Sequence, residues 1–222
     1  LTGYARSHVL KNGSTYYLYA SDGTNIDLYT STDGLAWTLD TGNVLTPGAG
    51  GAWDSYGIEN VFVWIEAAGD WRMLYESSSD TRWKIGYATS TDGRTWSKSG
   101  SNPVLAPASV GALGGPFVKK VGSDYFLFVH KAPDGGNLPT YIVRYKSSNL
   151  TSWTAEPMAL IIPRLGSDEG EDTYTGQVAD VSIVETGGVA YMFFSATSDG
   201  GSSSGNMHIE LATADPQAVY GW

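Results

Sequence analysis

Four runs of alternating apolar and polar residues set the frame of this chain: "STYYLYAS" (14–21), "DWRMLYES" (70–77), "SDYFLFVH" (123–130) and "VAYMFFSA" (189–196). Aromatic-rich alternation with period two is the pattern of half-buried strands. A shorter apolar run precedes each: "HVLK", "VFVWI", "PFVKK" and "VSIVE". Another follows each: "IDLYTS", "KIGYATS", "YIVRYKS" and "MHIELATA". Beyond the third run stands a recurring corner, "TSTDGLAW" (30–37), "TSTDGRTW" (89–96) and "KSSNLTSW" (146–153). Asp33, Asp92 and Asn149 share one position in it, at steps of 59 and 57 residues. The connectors echo one another too, "NVLTPGAGGAWD" (43–54) against "NPVLAPASVGALG" (102–114). Nothing reads as a long amphipathic helix.

Each unit therefore reads as three strands, the corner, and a short fourth strand around the Trp. Four antiparallel strands repeated in register define an all-β fold, a β-propeller of four-stranded blades. A sandwich of unrelated hairpins gives no reason for one corner to recur. Four blades are visible, at about 6–42, 58–101, 114–158 and 179–222, and the last has only a faint corner, "TADPQAVYGW". No linker or composition break divides residues 1–222, so the expectation is a single domain. It is either a four-bladed ring or a larger one from which a blade is missing. In the corner, Asp or Asn accepts backbone N–H groups, Gly supplies positive φ and Ser caps, while the Trp buries its ring between blades. The corner is read as scaffold.

Composition narrows the partners. The 222 residues carry a formal charge of −10, which does not suit a phosphate backbone, so no nucleic acid is expected. No apolar run approaches the roughly 20 residues that cross a bilayer, so no membrane insertion is expected either. The absence of Cys excludes disulfides and thiol chemistry. Asn12 and Asn149 fit the N-glycosylation pattern. The chain opens at Leu1, not Met, and upstream processing or truncation is expected. With 8 Trp, 14 Tyr and 6 Phe, flat apolar faces are plentiful.

The stretch "WDSYGIENVFVWIEAAGDWRMLYESSSDTRWKIGYATSTDGRTWSKSGSNPVL" (53–105) resembles the five-bladed propeller glycoside hydrolases of families 43 and 32. "SSNLTSW" is similar to their usual Ser-x-Asp-Leu-x-x-Trp. The corner also resembles the sialidase Asp-box but lacks one residue between Asp and Gly, and no sialidase is inferred. The resemblance implies three carboxylates where the innermost strands of the first three blades begin: a base or nucleophile, a supporting group, and an acid in Glu-Gly-Pro. Here those places fall at or next to Arg6, Glu59, Gly114 and Asp180. Counted from the first visible blade, the base position is Arg6 and the acid position Gly114. Counted with one blade missing upstream, Glu59 is the acid, and Arg6 or Ser7 stands for the supporting Asp. The carboxylate set is incomplete in either register.

The resemblance puts the pocket where the first strand of each blade begins, opposite the corners. The catalytic candidates are Glu59 as acid with Asp180 or Asp54 as partner. The substrate-binding candidates are Arg6, His8, Trp53, Tyr56, Asn60, Trp83, His130, Tyr174 and Gln177. Each has a plainer competitor: Trp53 as packing beneath its connector, His130 as a hydrogen-bonded core residue. No cofactor or metal is expected, and the acidic run 168–172 reads as a solvated loop, with structural calcium the lesser reading. Two functions fit: a glycoside hydrolase-like enzyme acting on an oligo- or polysaccharide, or a non-catalytic glycan-binding module in a viral tail or larger secreted protein. Both have a carbohydrate partner and an extracellular, secreted or virion-surface setting, with further domains or a missing blade of the same parent chain.

Overall fold

A computed structural model describes residues 3–4, 6–80, 82–107, 111–132, 140–161, 177–197 and 207–220. The chain divides into two compact units, Leu1–Ala106 and Pro107–Trp222. The all-β reading holds, and the strands form β-propeller blades.

In the first unit, blade 1 consists of β1 (Arg6–Asn12), β2 (Thr15–Ser21), β3 (Ile26–Ser31) and β4 (Thr38–Leu45), paired in that order. Blade 2 consists of β5 (Gly57–Ala67), β6 (Asp70–Ser78), β7 (Lys84–Ser90) and β8 (Ser97–Lys98). All neighbouring strands are antiparallel. Blade 2 lays β5 over β1 and β2. The aromatic alternation of β2 supplies the seam: Tyr17 meets Trp71 edge-on at 5.0 Å and Tyr19 meets Trp96 at 5.9 Å. The buried Tyr19 hydroxyl donates to the Gly93 carbonyl at 2.7 Å. Ile26, Leu28, Ile58, Met73 and Tyr75 complete a core that excludes water. Packing of this kind contributes about 1.5–3 kcal/mol per large side chain.

The corner works as the sequence implies. In blade 2 the Ser90 hydroxyl accepts the N–H groups of Asp92 and Gly93, while Asp92 Oδ1 accepts those of Arg94 and Thr95 at 2.7 and 2.8 Å. Blade 1 repeats this with Ser31 and Asp33, and blade 3 with Ser147 and Asn149. The three positions after Asp, Asp and Asn are Gly34, Gly93 and Leu150, all left-handed, with φ of 76°, 72° and 68°. Arg94 also forks onto both oxygens of Asp40 on β4, at 2.8 and 2.7 Å.

In the second unit, blade 3 consists of β9 (Ala112–Val121), β10 (Asp124–Ala132), β11 (Tyr141–Ser147) and β12 (Thr154–Ile161). Blade 4 shows β13 (Val178–Thr186), β14 (Val189–Thr197) and β15 (Met207–Ala214), followed by a short helix α1 (Pro216–Tyr220). Among the described residues this sheet has three strands, and α1 follows where a fourth was expected. The helix keeps the corner's count. Tyr220 lies six residues past Ala214, which pairs with Ala190, as Trp96 lies six past Ser90, which pairs with Trp71. The Tyr220 ring packs on Phe126 and Phe128 of β10 at 5.8 and 6.1 Å, and its hydroxyl bonds Glu185. Asp215 starts the helical turn by accepting the Gln217, Ala218 and Val219 N–H groups. So the faint fourth corner delivers its aromatic by a helical turn instead of a Ser-Asp-Gly turn.

Candidate functional site

The end of each blade where its first strand begins is the end to which the candidate residues point. Three of the four first strands hold a bulge there, with two residues opposing one. In blade 2 Glu59 and Asn60 oppose Glu76, in blade 3 Gly115 and Pro116 oppose Val129, and in blade 4 Asp180 and Val181 oppose Phe194. The bulge sits one rung higher in blade 2 than in the other two. Blade 1 pairs Arg6 with Ser21 without a bulge. The seventh residue of every second strand, at this same height, is polar: Ser21, Glu76, His130 and Ser195. Ser21 and Glu76 are buried and His130 and Ser195 partly so, and burying a polar group requires a partner.

In the first unit these side chains are partnered. Arg6 Nη1 forms an ion pair with Glu59 Oε2, with the Arg6 side chain largely exposed and that of Glu59 17% exposed. Asn60 Nδ2 donates to Glu76 Oε2 at 2.8 Å, and Glu76 is buried. Carboxylates thus alternate with an amide and a guanidinium, an array that can both donate to and accept from hydroxyl groups. Ser21 spends its hydroxyl on the Ile58 carbonyl at 2.7 Å and joins blade to blade.

His8 is not free to meet a ligand through Nδ1, which accepts the Val63 N–H at 3.2 Å while the ring lies on Phe62 at 4.5 Å. Burial pushes its imidazole down to about 4, so it is neutral near pH 7. Asp54 is placed in the interior, not in an open pocket: it is 3% exposed and bound to Lys98 Nζ at 2.5 Å. A buried carboxylate with an ammonium at that distance serves as a strut between its connector and β8. Trp53 is half-buried with its ring 5.8 Å from Tyr75, against the hydrophobic core. Tyr56, three residues on, is 66% exposed and is the free aromatic face of this connector. Trp83 is half-buried in the β6–β7 loop, beside the Asp80–Arg82 pair.

The second unit gathers Gly115, His130, Asp180 and Ser195. Asp180 has φ of 53°, rare for a residue with a side chain, and Gly115 has φ of 57°. His130 Nδ1 is buried, has no hydrogen-bond partner among the described residues, and lies 3.6 Å from Asp180 Oδ1. Ser195 Oγ lies 3.4 Å from Asp180 Oδ2. A Cβ on residue 115 would stand 2.6 Å from Asp180 Oδ1 and 2.9 Å from His130 Nδ1, so only glycine fits this approach. The Gln177 N–H donates to the Thr197 hydroxyl at 3.1 Å, and the Gln177 carbonyl accepts the Thr197 N–H at 3.1 Å. Tyr174 and the acidic run 168–172 lie outside the described residues. Among the described residues no three His, Asp or Glu side chains are grouped to hold a metal ion.

Sequence reading missed Glu76 and Ser195. The signal was present in the repeat, since the same count along each second strand lands on a polar residue.

This is the strand-and-corner architecture of a β-propeller, and its likeness is to glycoside hydrolases. No protein-family model matches the sequence, and no curated protein matches it. Solved structures do match. A thermostable family-43 glycoside hydrolase superposes with a TM-score of 0.76 at 18% identity, over 96% of this chain and 69% of that one. The BT0996 RGII complex gives 0.75 at 19% identity, over 93% of this chain and 64% of that one. The Bombyx mori family-32 β-fructofuranosidase BmSUC1 gives 0.68 at 13% identity, over 96% of this chain and 47% of that one. The chain has the fold of the family-43 and family-32 propeller glycosidases and spans about two thirds or less of these neighbours.

Proposed function

We propose that this protein is a carbohydrate-active propeller of the glycoside hydrolase type, engaging an oligo- or polysaccharide at the ends where the first strands begin. The observation that carries this reading is the coincidence, in blades 2 and 4, of a bulge bearing a carboxylate with a polar rung on the neighbouring strand. A bulge re-aims a side chain out of the regular pleat, as functional sites use it. Glu59 is the candidate acid of the first unit, Arg6 and Asn60 its hydroxyl-binding neighbours, and Tyr56 the ring that stacks on a sugar face. In the second unit Asp180, oriented by Ser195 and flanked by His130, is the corresponding carboxylate.

A second reading, glycan binding without hydrolysis, draws support from two observations. The guanidinium of Arg6 occupies an oxygen of Glu59, and Gly115 stands at the one bulge that lacks a carboxylate. The deciding experiment pairs hydrolysis with binding on a panel of fructosides and other oligosaccharides, including the RGII of the BT0996 complex. The enzyme reading expects turnover by the native protein that Glu59→Gln removes while binding persists. Binding without turnover, unchanged in Glu59→Gln and lost in Tyr56→Ala, establishes the second reading. No binding to any glycan sinks both.

A further inference from the structure

His130 is the seventh residue of β10, the place that Ser21 takes on β2. Ser21 reaches forward from blade 1 and donates to the first strand of blade 2, at the Ile58 carbonyl. His130 faces the first strand of blade 4 in the same way. Its Nδ1 lies 3.6 Å from Asp180 Oδ1 and is buried with no hydrogen-bond partner among the described residues. Gly115, in the bulge of blade 3, keeps the space between them clear. A Cβ there would stand 2.6 Å from Asp180 Oδ1, 2.9 Å from His130 Nδ1 and 3.2 Å from the Asp180 Cα. The Asp180 backbone is itself left-handed, with φ of 53°. Such a conformation at a residue with a side chain persists only where its surroundings hold it.

The donor and acceptor inventory fixes the direction of this contact. A carboxylate only accepts hydrogen bonds, whereas a neutral imidazole has a donor at one nitrogen and an acceptor at the other. An Nδ1 lone pair aimed at Asp180 Oδ1 would set acceptor against acceptor. An Nδ1–H there makes a hydrogen bond once the two side chains close by about half an ångström. Ser195 does not hold the carboxylate alone. Its single hydrogen is claimed by the Ala179 carbonyl at 3.2 Å as well as by Asp180 Oδ2 at 3.4 Å. His8 is in the opposite state, since its Nδ1 accepts the Val63 N–H and its own proton therefore sits on Nε2.

We propose that His130 is the positioning residue for Asp180: neutral His130 carries its proton on Nδ1, donates it to Asp180 Oδ1 and keeps Nε2 as an acceptor. The hydrogen bond stands independently of the carbohydrate reading; its use in aiming the carboxylate at a glycan rests on that reading. Long-range proton–nitrogen NMR on protein carrying isotope-labelled histidine tests it. The chain has three His, and His130→Gln assigns the signals of His130 by their loss. The spectra are taken at a pH of about 8.5, well above the ordinary imidazole pKa of about 6.5. In the native protein His130 is expected to favour the Nδ1–H tautomer roughly tenfold or more, the bias that a hydrogen bond to a charged group gives. His8 is expected to show the Nε2–H tautomer. Asp180→Ala should abolish the preference at His130 and leave the His8 signals in place, which also reports that the variant is folded. A native His130 in the Nε2–H form overturns the proposal, and this needs no variant. So does an Nδ1–H preference that survives Asp180→Ala, because another acceptor then holds the proton. A native Nδ1–H His130 in a protein that binds no glycan establishes the hydrogen bond and refutes only the carbohydrate reading.

Discussion

Replacing one glycine by alanine at two copies of the same corner separates backbone strain from packing. Gly34 and Gly93 follow Asp33 and Asp92 in the same turn and hold φ of 76° and 72°. Alanine in that region costs roughly 1–2 kcal/mol at either site. The surroundings differ. A Cβ on Gly34 comes no closer than 3.9 Å to the Tyr16 ring, whereas one on Gly93 stands 2.8 Å from the Tyr19 hydroxyl and 2.9 Å from Trp71. Forcing that contact adds roughly 1–3 kcal/mol of overpacking. Loss of the Tyr19 bond to the Gly93 carbonyl adds about 1 kcal/mol. Gly93→Ala should therefore destabilise the first unit by about 2–4 kcal/mol more than Gly34→Ala does. Urea unfolding followed by tryptophan fluorescence measures the difference, since Trp71 and Trp96 flank the site. Equal midpoints, within about 0.5 kcal/mol after conversion by the common slope, would refute the account of the corner as a clamp between blades.

Leu150 fills the left-handed position of the third corner but is 1% exposed. Leu150→Gly relieves about 1 kcal/mol of strain and removes about 2–3 kcal/mol of burial, so a net loss of about 1–2 kcal/mol in urea is expected. His8 has its folded pKa near 4, below the ordinary value of about 6.5, so between these the unfolded state binds the extra proton. Its contribution is whole above about pH 6.5 and falls by up to about 3 kcal/mol as pH drops toward 4; unfolding curves of His8→Gln should be flatter across that window. Asp92 is held at about 2 by the backbone N–H groups of Thr95 and Arg94 and the Ser90 hydroxyl. A lowered carboxylate stabilises above its ordinary pKa of about 3.9 and loses that contribution as pH falls toward 2. Asp92→Asn, the arrangement Asn149 already has, keeps the turn's acceptor but lacks the charge, so it should lower neutral-pH stability modestly and make the acid limb between about pH 4 and 2 shallower, the two proteins converging toward pH 2.

How far the sequence speaks depends on how local the physics is. The corner was legible because its bonds run between residues two and three apart, so spacing alone specifies the turn. The strand pattern was legible because alternation is itself the burial pattern of the sheet. The bulges were not, since a bulge is a relation between two strands and leaves no mark on either one alone. Asp54 shows the same limit. An acid beside Trp53 and Tyr56 reads as a pocket residue until Lys98, 44 positions away, is found bound to it. The fourth corner lost its Ser-Asp-Gly chemistry yet kept its aromatic at the same count, so composition hid what register reveals.

The two ends of each blade divide the labour for a physical reason. At the corner, Ser and Asp or Asn satisfy the N–H groups of their own turn, and in blade 2 the aromatic that follows clamps the preceding blade. Substitutions elsewhere in the blade leave those bonds untouched. At the opposite end the polar rung draws on more distant partners: Ser21 donates to the Ile58 carbonyl of the next blade while accepting the Gly23 N–H, Glu76 takes Asn60, and Ser195 approaches Asp180. His130 Nδ1 lacks one among the described residues. An end whose side chains depend on cross-strand partners can exchange Ser for Glu or His without altering the turn that fixes the blade. Blades 1 to 3 therefore share the Ser-Asp/Asn turn at the corner, while the residue near the strand start is Ser in blade 1, Glu in blade 2 and His in blade 3.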